Sequence, residues 1–532
     1  MATSRSDGAP SLRKDGRAAI PERPPFRRLL IANRGEIAVR VIRACRELGI
    51  ESVAVFSDAD AEAMHTRMAD RSERIGPAPA ADSYLSIDAV IDAARRSGAQ
   101  AIHPGYGFLS ENATFARAVE EAGLVFVGPP AETIASLGDK LAARRSATAA
   151  GVPVVPGLLV PLDARADGSM PVDDLAAVGF PALLKAAAGG GGRGMRRVDR
   201  LGDVGPAVES AGREALAAFG DGTLYMERLI APARHVEVQL LGDRHGNLAV
   251  LGERECSIQR RHQKLVEESP SPAISPSQRA ELADSARRVA GTVAFHNAAT
   301  VEFLLDGDGK HYFLEMNTRL QVEHGVTELV TGLDLVAWQI RIAAGERLSE
   351  AVLAAAPRGH AIEVRIYAED PHRGFVPMAG SIGAWRMPAG PGVRVDAGVV
   401  AHMSLPIEYD PLLAKLLVHA DDRTAAIARL RRALDETVVG GVQTGLSFLH
   451  WLIEAPDFVA GTYDTGLVDQ QWGDGPDLGA EERSMAALAA AQARALFGSR
   501  QRPAAPEVSL VPRPSAWVVQ ARRQAVARRR SR

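Results

Sequence analysis

Between residues 300 and 324 the chain gathers the side chains with the most chemistry to offer. Glu302 lies in an apolar run that breaks at Asp306-Gly307-Asp308-Gly309 and resumes to carry Glu315 and Asn317. The turn signature predicts a β-hairpin. Period-two alternation then puts Glu315 and Asn317 on one face, with Glu302 nearly opposite Glu315 on the partner strand. Like charges facing each other across a ladder repel, and a resident cation removes the conflict. Two carboxylates and an amide form the all-oxygen donor set that magnesium accepts, its remaining positions going to water and phosphate oxygens. A nucleotide is therefore the expected ligand. The run continues into Arg319, Gln321, Glu323 and His324, a polar cluster suited to anion recognition and acid–base chemistry. The alternative reading is an exposed acidic hairpin with a salt-bridged end.

The lysines add to this picture because they are scarce. Lys and Arg total 62, yet only Lys14, Lys140, Lys185, Lys264, Lys310 and Lys415 are lysine. Where the chain departs from arginine, a compact ammonium with rotatable donors is wanted in place of a rigid fork. Lys140, Lys185 and Lys264 each stand beside a candidate phosphate or anion motif. Lys185 precedes Gly189-Gly190-Gly191-Gly192-Arg193-Gly194-Met195, a loop whose backbone N–H groups can approach a polyphosphate closely. No Gly-Lys-Ser or Gly-Lys-Thr follows, so this is not a Walker-type loop. Lys264 ends the polar stretch Gln259-Arg260-Arg261-His262-Gln263-Lys264, either an anion site or a solvated face. Tyr225-Met226-Glu227-Arg228-Leu229-Ile230 reads as a hinge lining an adenine pocket.

These motifs need elements to hold them. Arg28 to Ala32 reads as a buried strand, Ile37 to Leu48 as an amphipathic helix, and Val53 to Phe56 as a second strand. With Ala101-Ile102 and Val125 to Val127, they predict a parallel sheet flanked by helices. The first turn lacks Gly-x-Gly-x-x-Gly, so no dinucleotide cofactor is indicated. His103-Pro104-Gly105-Tyr106-Gly107-Phe108 marks a strand end, where such sheets bind ligands. Further strands are expected at Pro181 to Ala186, His235 to Leu240 and Ala361 to Tyr367, and helices at 424–436 and 485–496. At 532 residues, 46% apolar and 24% charged, the chain has material for several cores. A net charge of -3 leaves no basic field for nucleic acid. Cys45 and Cys256 are the only cysteines, which excludes a disulfide framework and fits a reducing cytoplasm. No apolar run approaches a membrane span, and residues 1–24 read as a disordered leader with no signal peptide.

Asn33-Arg34-Gly35-Glu36, then His103 to Asn112, the glycine loop, Arg260 to Lys264 and Glu315-Met316-Asn317-Thr318-Arg319 occur in an order that closely resembles biotin carboxylase over about residues 25 to 475. The resemblance implies an α/β and α+β, ATP-grasp architecture. It has a Rossmann-like N-terminal domain (25–139), an ATP-grasp domain (140–345) with a glycine-rich lid (about 157–229), a mixed β/α C-terminal domain (357–475), and a helix plus flexible tail (476–532). It implies carboxylation of biotin on a separate carrier protein, using ATP and bicarbonate through carboxyphosphate, with Mg2+ or Mn2+. Position by position, Lys140, Lys185, Gly191, Gly192 and His262 would bind ATP phosphates, and Glu227, Ile230 and His235 the adenosine part. Glu302, Glu315 and Asn317 would hold the metal, the two glutamates contacting ATP through it. Lys264, Arg319, Gln321 and the Val322 backbone would bind bicarbonate. Glu323 would act as general base, with Arg319 orienting the anion, and Arg365 would stabilise the biotin enolate. The alternative for Arg365 is a buried ion pair with Glu363 or Glu369.

Some positions depart from the family pattern. Ala188 replaces a glycine at the start of the loop and should stiffen the lid. Gly325 replaces the usual proline and should loosen the chain after the base. Arg228 replaces a hinge lysine. No lysine is flanked by two methionines, so biotin and the carboxyltransferase are expected on other polypeptides, with a homodimer implied by relatives. Trp517-Val518-Val519 is read as a docking strand or, alternatively, part of a disordered basic end. A carbamoyl-phosphate-forming ligase or a regulatory subunit without catalysis are the rival readings.

Overall fold

The computed structural model describes residues 25–158, 172–186, 195–473 and 475. Expectations for the leader, for Ala188, Gly191 and Gly192, and for residues 476–532, including Trp517 to Val519, lie outside them. Among the described residues no helix is long and apolar enough to cross a membrane.

Strands β1 (Arg28–Ile31), β2 (Glu51–Ser57), β3 (Arg71–Gly76), β4 (Ala101–His103) and β5 (Val125–Phe126) form a parallel sheet in the order β3-β2-β1-β4-β5. β3 escaped the sequence reading because its first four residues are polar, three of them charged and three exposed. The helix Gly35–Glu47 turns Ile37, Val41, Ile42 and Cys45 into the core beneath this sheet. Cys45 is thus a packing residue, and burial pushes its thiol up to about 12. At the C-terminal edge of the strands Asn33 donates to the carbonyls of Pro104 (2.8 Å) and Tyr106 (2.7 Å) and fixes the turn that follows β4. Gly105 is required there: its φ is +65°, and a Cβ would lie 2.8 Å from the Asn33 amide.

A small antiparallel sheet follows, built from β6 (Gly157–Leu158), β7 (Ala182–Ala186), β8 (Met195–Val198) and β9 (Leu224–Arg228) in the order β6-β9-β7-β8. Lys185 and Glu227 are diagonal neighbours on one of its faces. Arg228 is exposed at the end of β9.

The largest sheet joins the middle of the chain to its C-terminal part. It comprises β10 (Ala233–Gly242), β11 (Leu248–Arg260), β12 (Gln263–Ser269), β13 (Asn297–Asp306), β14 (His311–Asn317) and β15 (His360–Tyr367), extended by Leu412–Ala420 and Val393–Ala397. The order is β14-β13-β10-β11-β12-β15 and then those two strands, antiparallel throughout. One irregularity matters for the site. Gln259 pairs with Lys264 but Ile258 pairs with Val266, so Leu265 is an extra residue on β12. At such a bulge two consecutive side chains share a face. Leu265 and Val266 both enter the core against the helix Arg423–Glu436, and Lys264 and Glu267 both face the other way.

Candidate active site

The hairpin of β13 and β14 pairs Glu302 directly with Glu315, as its turn residues predict. Sheet pairing extends that row. Glu237 on β10 stands opposite Glu302, and Arg254 on β11 opposite Glu237, so Glu315, Glu302, Glu237 and Arg254 lie side by side across four strands. Such a row of carboxylates holds together only if cations are threaded through it. Lys264 provides one, its Nζ lying 2.7 Å from Glu237, 3.0 Å from Glu302 and 2.7 Å from Glu323. Arg254 is fully buried, reaches Glu237 at 2.5 Å, and also donates to Gln239 and to the hydroxyls of Thr300 and Thr327. On the outer side Lys140, first residue of a helix capped by Asp139, sits 3.4 Å from Glu315.

Glu302 is the hub. Burial alone would raise its pKa, but Lys264 and His235 overcome that and hold the carboxyl far below its usual range. His235 meets it through Nε2 at 2.9 Å, Asn317 donates at 2.9 Å and Gln321 at 3.2 Å. Arg319 spans the mouth of the cluster. It pairs with Glu111 at 2.7 Å and donates to Gln321 (2.8 Å) and to the Asn317 Oδ1 (3.1 Å), and Glu111 also accepts from the Thr318 backbone. Glu111 belongs to the His103 to Asn112 string, so that string anchors Arg319 from the N-terminal domain.

Glu323 caps the helix His324–Thr331 and is 1% exposed. Lys264 reaches one of its oxygens, and Arg365 reaches the other at 2.9 Å. Burial is again outweighed by these cations, and the carboxylate is held well below its ordinary value. Arg365 pairs with Glu323 and with Glu267, at 2.5 Å. The expected alternative partners do not pair with it: Glu363 and Glu369 share its strand or its end, and the carboxylates that reach it come from elsewhere in the sheet and from the helix cap. The backbone of Val322 is held by Lys415, whose Nζ donates to its carbonyl at 2.6 Å and lies 3.2 Å from Glu36, which also binds the Tyr106 hydroxyl.

Residues read as nucleotide contacts are partly committed to each other. Glu227 is buried against Arg144 and lies 2.5 Å from Lys185. His262 sits with Arg261 in the tight turn between β11 and β12, both at positive φ. Partial burial and the nearby Lys185 ammonium lower its pKa. Ile230 is half-buried just beyond β9. Cys256 is buried on β11; burial and then Glu237 raise its thiol far above the usual value, so it stays protonated. Gly325 is buried in the helix after Glu323, and the Leu417 Cδ2 lies 2.4 Å from where its Cβ would be.

The donor set fits a hard divalent cation. Glu302, Glu315 and the Asn317 amide present oxygen, and the cations now pairing the two carboxylates, Lys264 and Lys140, show the net negative charge that such an ion would also balance. Sequence reasoning missed Glu237, Arg254, Glu111, Glu267 and the role of Lys415. The Lys415 role was the most accessible, since scarcity had already marked the lysines.

Comparison with known proteins agrees with this geometry. Residues 25–134 match the family model for the biotin carboxylase N-terminal domain, 139–351 that for the carbamoyl-phosphate synthase L chain ATP binding domain, and 363–470 that for the biotin carboxylase C-terminal domain. The biotin carboxylase of Halalkalibacterium halodurans is 48% identical over 443 residues, covering 83% of this chain and 97% of that one. Methylcrotonoyl-CoA carboxylase subunit alpha, mitochondrial, of Oryza sativa is 47% identical over 449 residues, but the chain spans only 60% of that longer protein. Among solved structures, the biotin carboxylase–β,γ-ATP complex of Campylobacter jejuni superposes with a TM-score of 0.81 at 44% identity, covering 84% of this chain and 99% of that one. The biotin carboxylase domain dimer of Hydrogenobacter thermophilus 2-oxoglutarate carboxylase, with MgADP, ADP and bicarbonate, gives 0.80 at 44%, covering 84% and 97%. The chain belongs to the biotin carboxylase family of ATP-grasp ligases.

Proposed function

We propose that this chain carboxylates the ureido nitrogen of biotin borne on a separate carrier protein, consuming ATP and bicarbonate, as the first half-reaction of an acyl-CoA carboxylase. The observation that carries the reading is the convergence on Glu323: a buried, ionised carboxylate clamped between Lys264 and Arg365, near the hydrogen-bonded pair Arg319 and Gln321. Bicarbonate is a planar oxyanion that Arg319, Gln321, Lys264 and the Val322 N–H can bind in one plane. Glu323 takes its proton, and the resulting dianion attacks the γ-phosphorus of ATP, forming carboxyphosphate as the bond to the β,γ-bridging oxygen breaks and ADP leaves. Arg319 and Lys264 hold the charge that builds on the transferred group. Lys140, Lys185 and His262 face the phosphates, and Arg365 stabilises the enolate of biotin after its N–H is lost. A divalent ion held by Glu302, Glu315 and Asn317 would neutralise phosphate charge during transfer.

The complexes with nucleotide, magnesium and bicarbonate in the Hydrogenobacter relative support ATP and magnesium here, and its dimer supports a homodimer. Relatives named as carboxylase alpha chains support partner subunits that supply the carrier and the carboxyltransferase. The test is ADP release by the purified chain with Mg-ATP, omitting bicarbonate and free biotin in turn. Release that requires bicarbonate and rises with biotin is expected. Release that needs bicarbonate and ignores biotin, also with a biotinylated carrier present, would favour a carboxyphosphate ligase of another kind.

A further inference from the structure

Arg365 has more anionic neighbours than the proposed chemistry uses. Its Nη2 lies 2.9 Å from Glu323 and 2.5 Å from Glu267, so one guanidinium nitrogen serves two carboxylates. Glu267 is fully buried and directly opposite Glu363 on β15, itself fully buried. Apart from its charge contact with Arg365, which misses hydrogen-bond alignment, Glu267 has no partner for either oxygen among the described residues. A charge buried without hydrogen bonds is costly, and here it shares the cleft face with Lys264 across the bulge at Leu265.

Resting on the functional reading above, we propose that Glu267 is a positioning residue, the standing anchor that keeps Arg365 in place when its other partner is neutralised. When Glu323 accepts the proton of bicarbonate, an O–H bond breaks on the substrate and one forms on the carboxylate, leaving Glu323 uncharged. Its hold on Arg365 then weakens. Glu267 retains the guanidinium, which now has a donor to spare for the negative oxygen of the biotin enolate. The two half-steps are thereby ordered: bicarbonate must be deprotonated before Arg365 is free to serve biotin. Burial raises the Glu267 carboxyl to about 7 against the pull of Arg365, with Glu323 as a further raising charge, so neutralising Glu323 also favours the ionised form of Glu267.

The experiment uses the full-length chain and two rates, ADP release with bicarbonate alone and the increment on adding free biotin. Glu267→Gln keeps the volume and removes the charge. We expect the biotin-dependent kcat to fall by about tenfold or more, with the KM for ATP unchanged and the biotin-independent release retained, and Glu267→Asp to recover part of the loss. Equal loss of both rates in both variants would mean a structural role and overturn the proposal, as would an unchanged biotin increment. Wild-type protein without bicarbonate-dependent release would overturn the functional reading and the proposal with it, whereas an active wild type with an unaffected Glu267→Gln overturns the proposal alone.

Discussion

Glu323 and Glu268 are equally buried, at 1% exposure, yet the structure predicts opposite consequences for their loss. Glu323→Gln strips nothing of its last partner. Lys264 keeps Glu237 at 2.7 Å and Glu302 at 3.0 Å, and Arg365 keeps Glu267 at 2.5 Å. The stability cost should therefore stay near that of one charged hydrogen bond exchanged for a neutral one, about 1 kcal/mol. Turnover should fall by about 10²- to 10⁴-fold for loss of the base, and nucleotide affinity should be nearly unchanged because Glu323 touches neither Lys140 nor Lys185, its lysine partner being the bicarbonate-facing Lys264. Glu268→Gln does the reverse. Among the described residues Glu268 is the single carboxylate reaching both His360 (2.5 Å) and Arg423 (2.7 and 2.9 Å), and it also accepts from the Tyr463 hydroxyl. Its amide would leave the half-buried Arg423 without a carboxylate, held only by the Phe458 ring and the carbonyls of Phe458 and Val459, costing about 3 kcal/mol, the low end for a broken buried pair. At about 2–4 °C per kcal/mol for a domain of this size, that is a drop on the order of 10 °C in the melting of the C-terminal part. Thermal unfolding by circular dichroism and bicarbonate-dependent ADP release, run side by side on both variants, decide the matter. A Glu323→Gln protein as unstable as Glu268→Gln would refute the claim that charges around the base compensate one another, and an active Glu323→Gln would remove it as the base.

Acid should expose the same network. Burial raises the Glu268 carboxyl, but hydrogen bonds from His360 and Arg423 bring it down to about 2. A depressed folded value means stability that is present above the unfolded value near 4.3 and lost as pH falls towards 2, worth about 3 kcal/mol in all. The gap in urea midpoint between wild type and Glu268→Gln should accordingly close between pH 5 and about 2, and a constant gap would contradict the assignment. Glu302→Gln and Glu315→Gln should each raise the magnesium concentration needed for half-maximal ADP release by about 10- to 100-fold, measured by titration after chelation; unchanged demand would place the ion elsewhere. Gly325→Ala should be destabilising by about 1–3 kcal/mol through collision with Leu417, and the added Leu417→Val should relieve it, both read from thermal melting. A neutral Gly325→Ala would show that Leu417 can yield.

What was legible in the sequence was local. The Asp306 to Gly309 turn fixes the register of its own hairpin, so Glu302 and Glu315 could be placed opposite each other without knowing anything further. Glu237 could not be added, because it lies in an ordinary alternating strand and reaches Glu302 only through the pairing of β10 with β13, a contact between distant segments. The partners of Arg365 were misjudged for a related reason. Glu363 is two residues away on the same strand, the neighbour sequence suggests, while Glu267 arrives from β12 and Glu323 from a helix cap. The parallel N-terminal sheet followed from apolar strands and an amphipathic helix, and its charged edge strand did not. Glu227 read naturally as a hinge residue, but only the folded chain shows it committed to Arg144 and Lys185.

The extra residue at Leu265 divides β12 into two stretches that alternate out of phase. Upstream of it the even-numbered Lys264 points to the cleft, and downstream the odd-numbered Glu267 does. Deleting Leu265 would remove the bulge and leave one regular alternation: Val266 would still face Ile258, Lys264 and Glu267 would keep the cleft face, and Glu268 would keep the network that holds His360 and Arg423. Inserting a residue between Val266 and Glu267 would instead turn Glu267 into the core and Glu268 out of that network. The site therefore tolerates a change of length at Leu265 itself and not one residue further along.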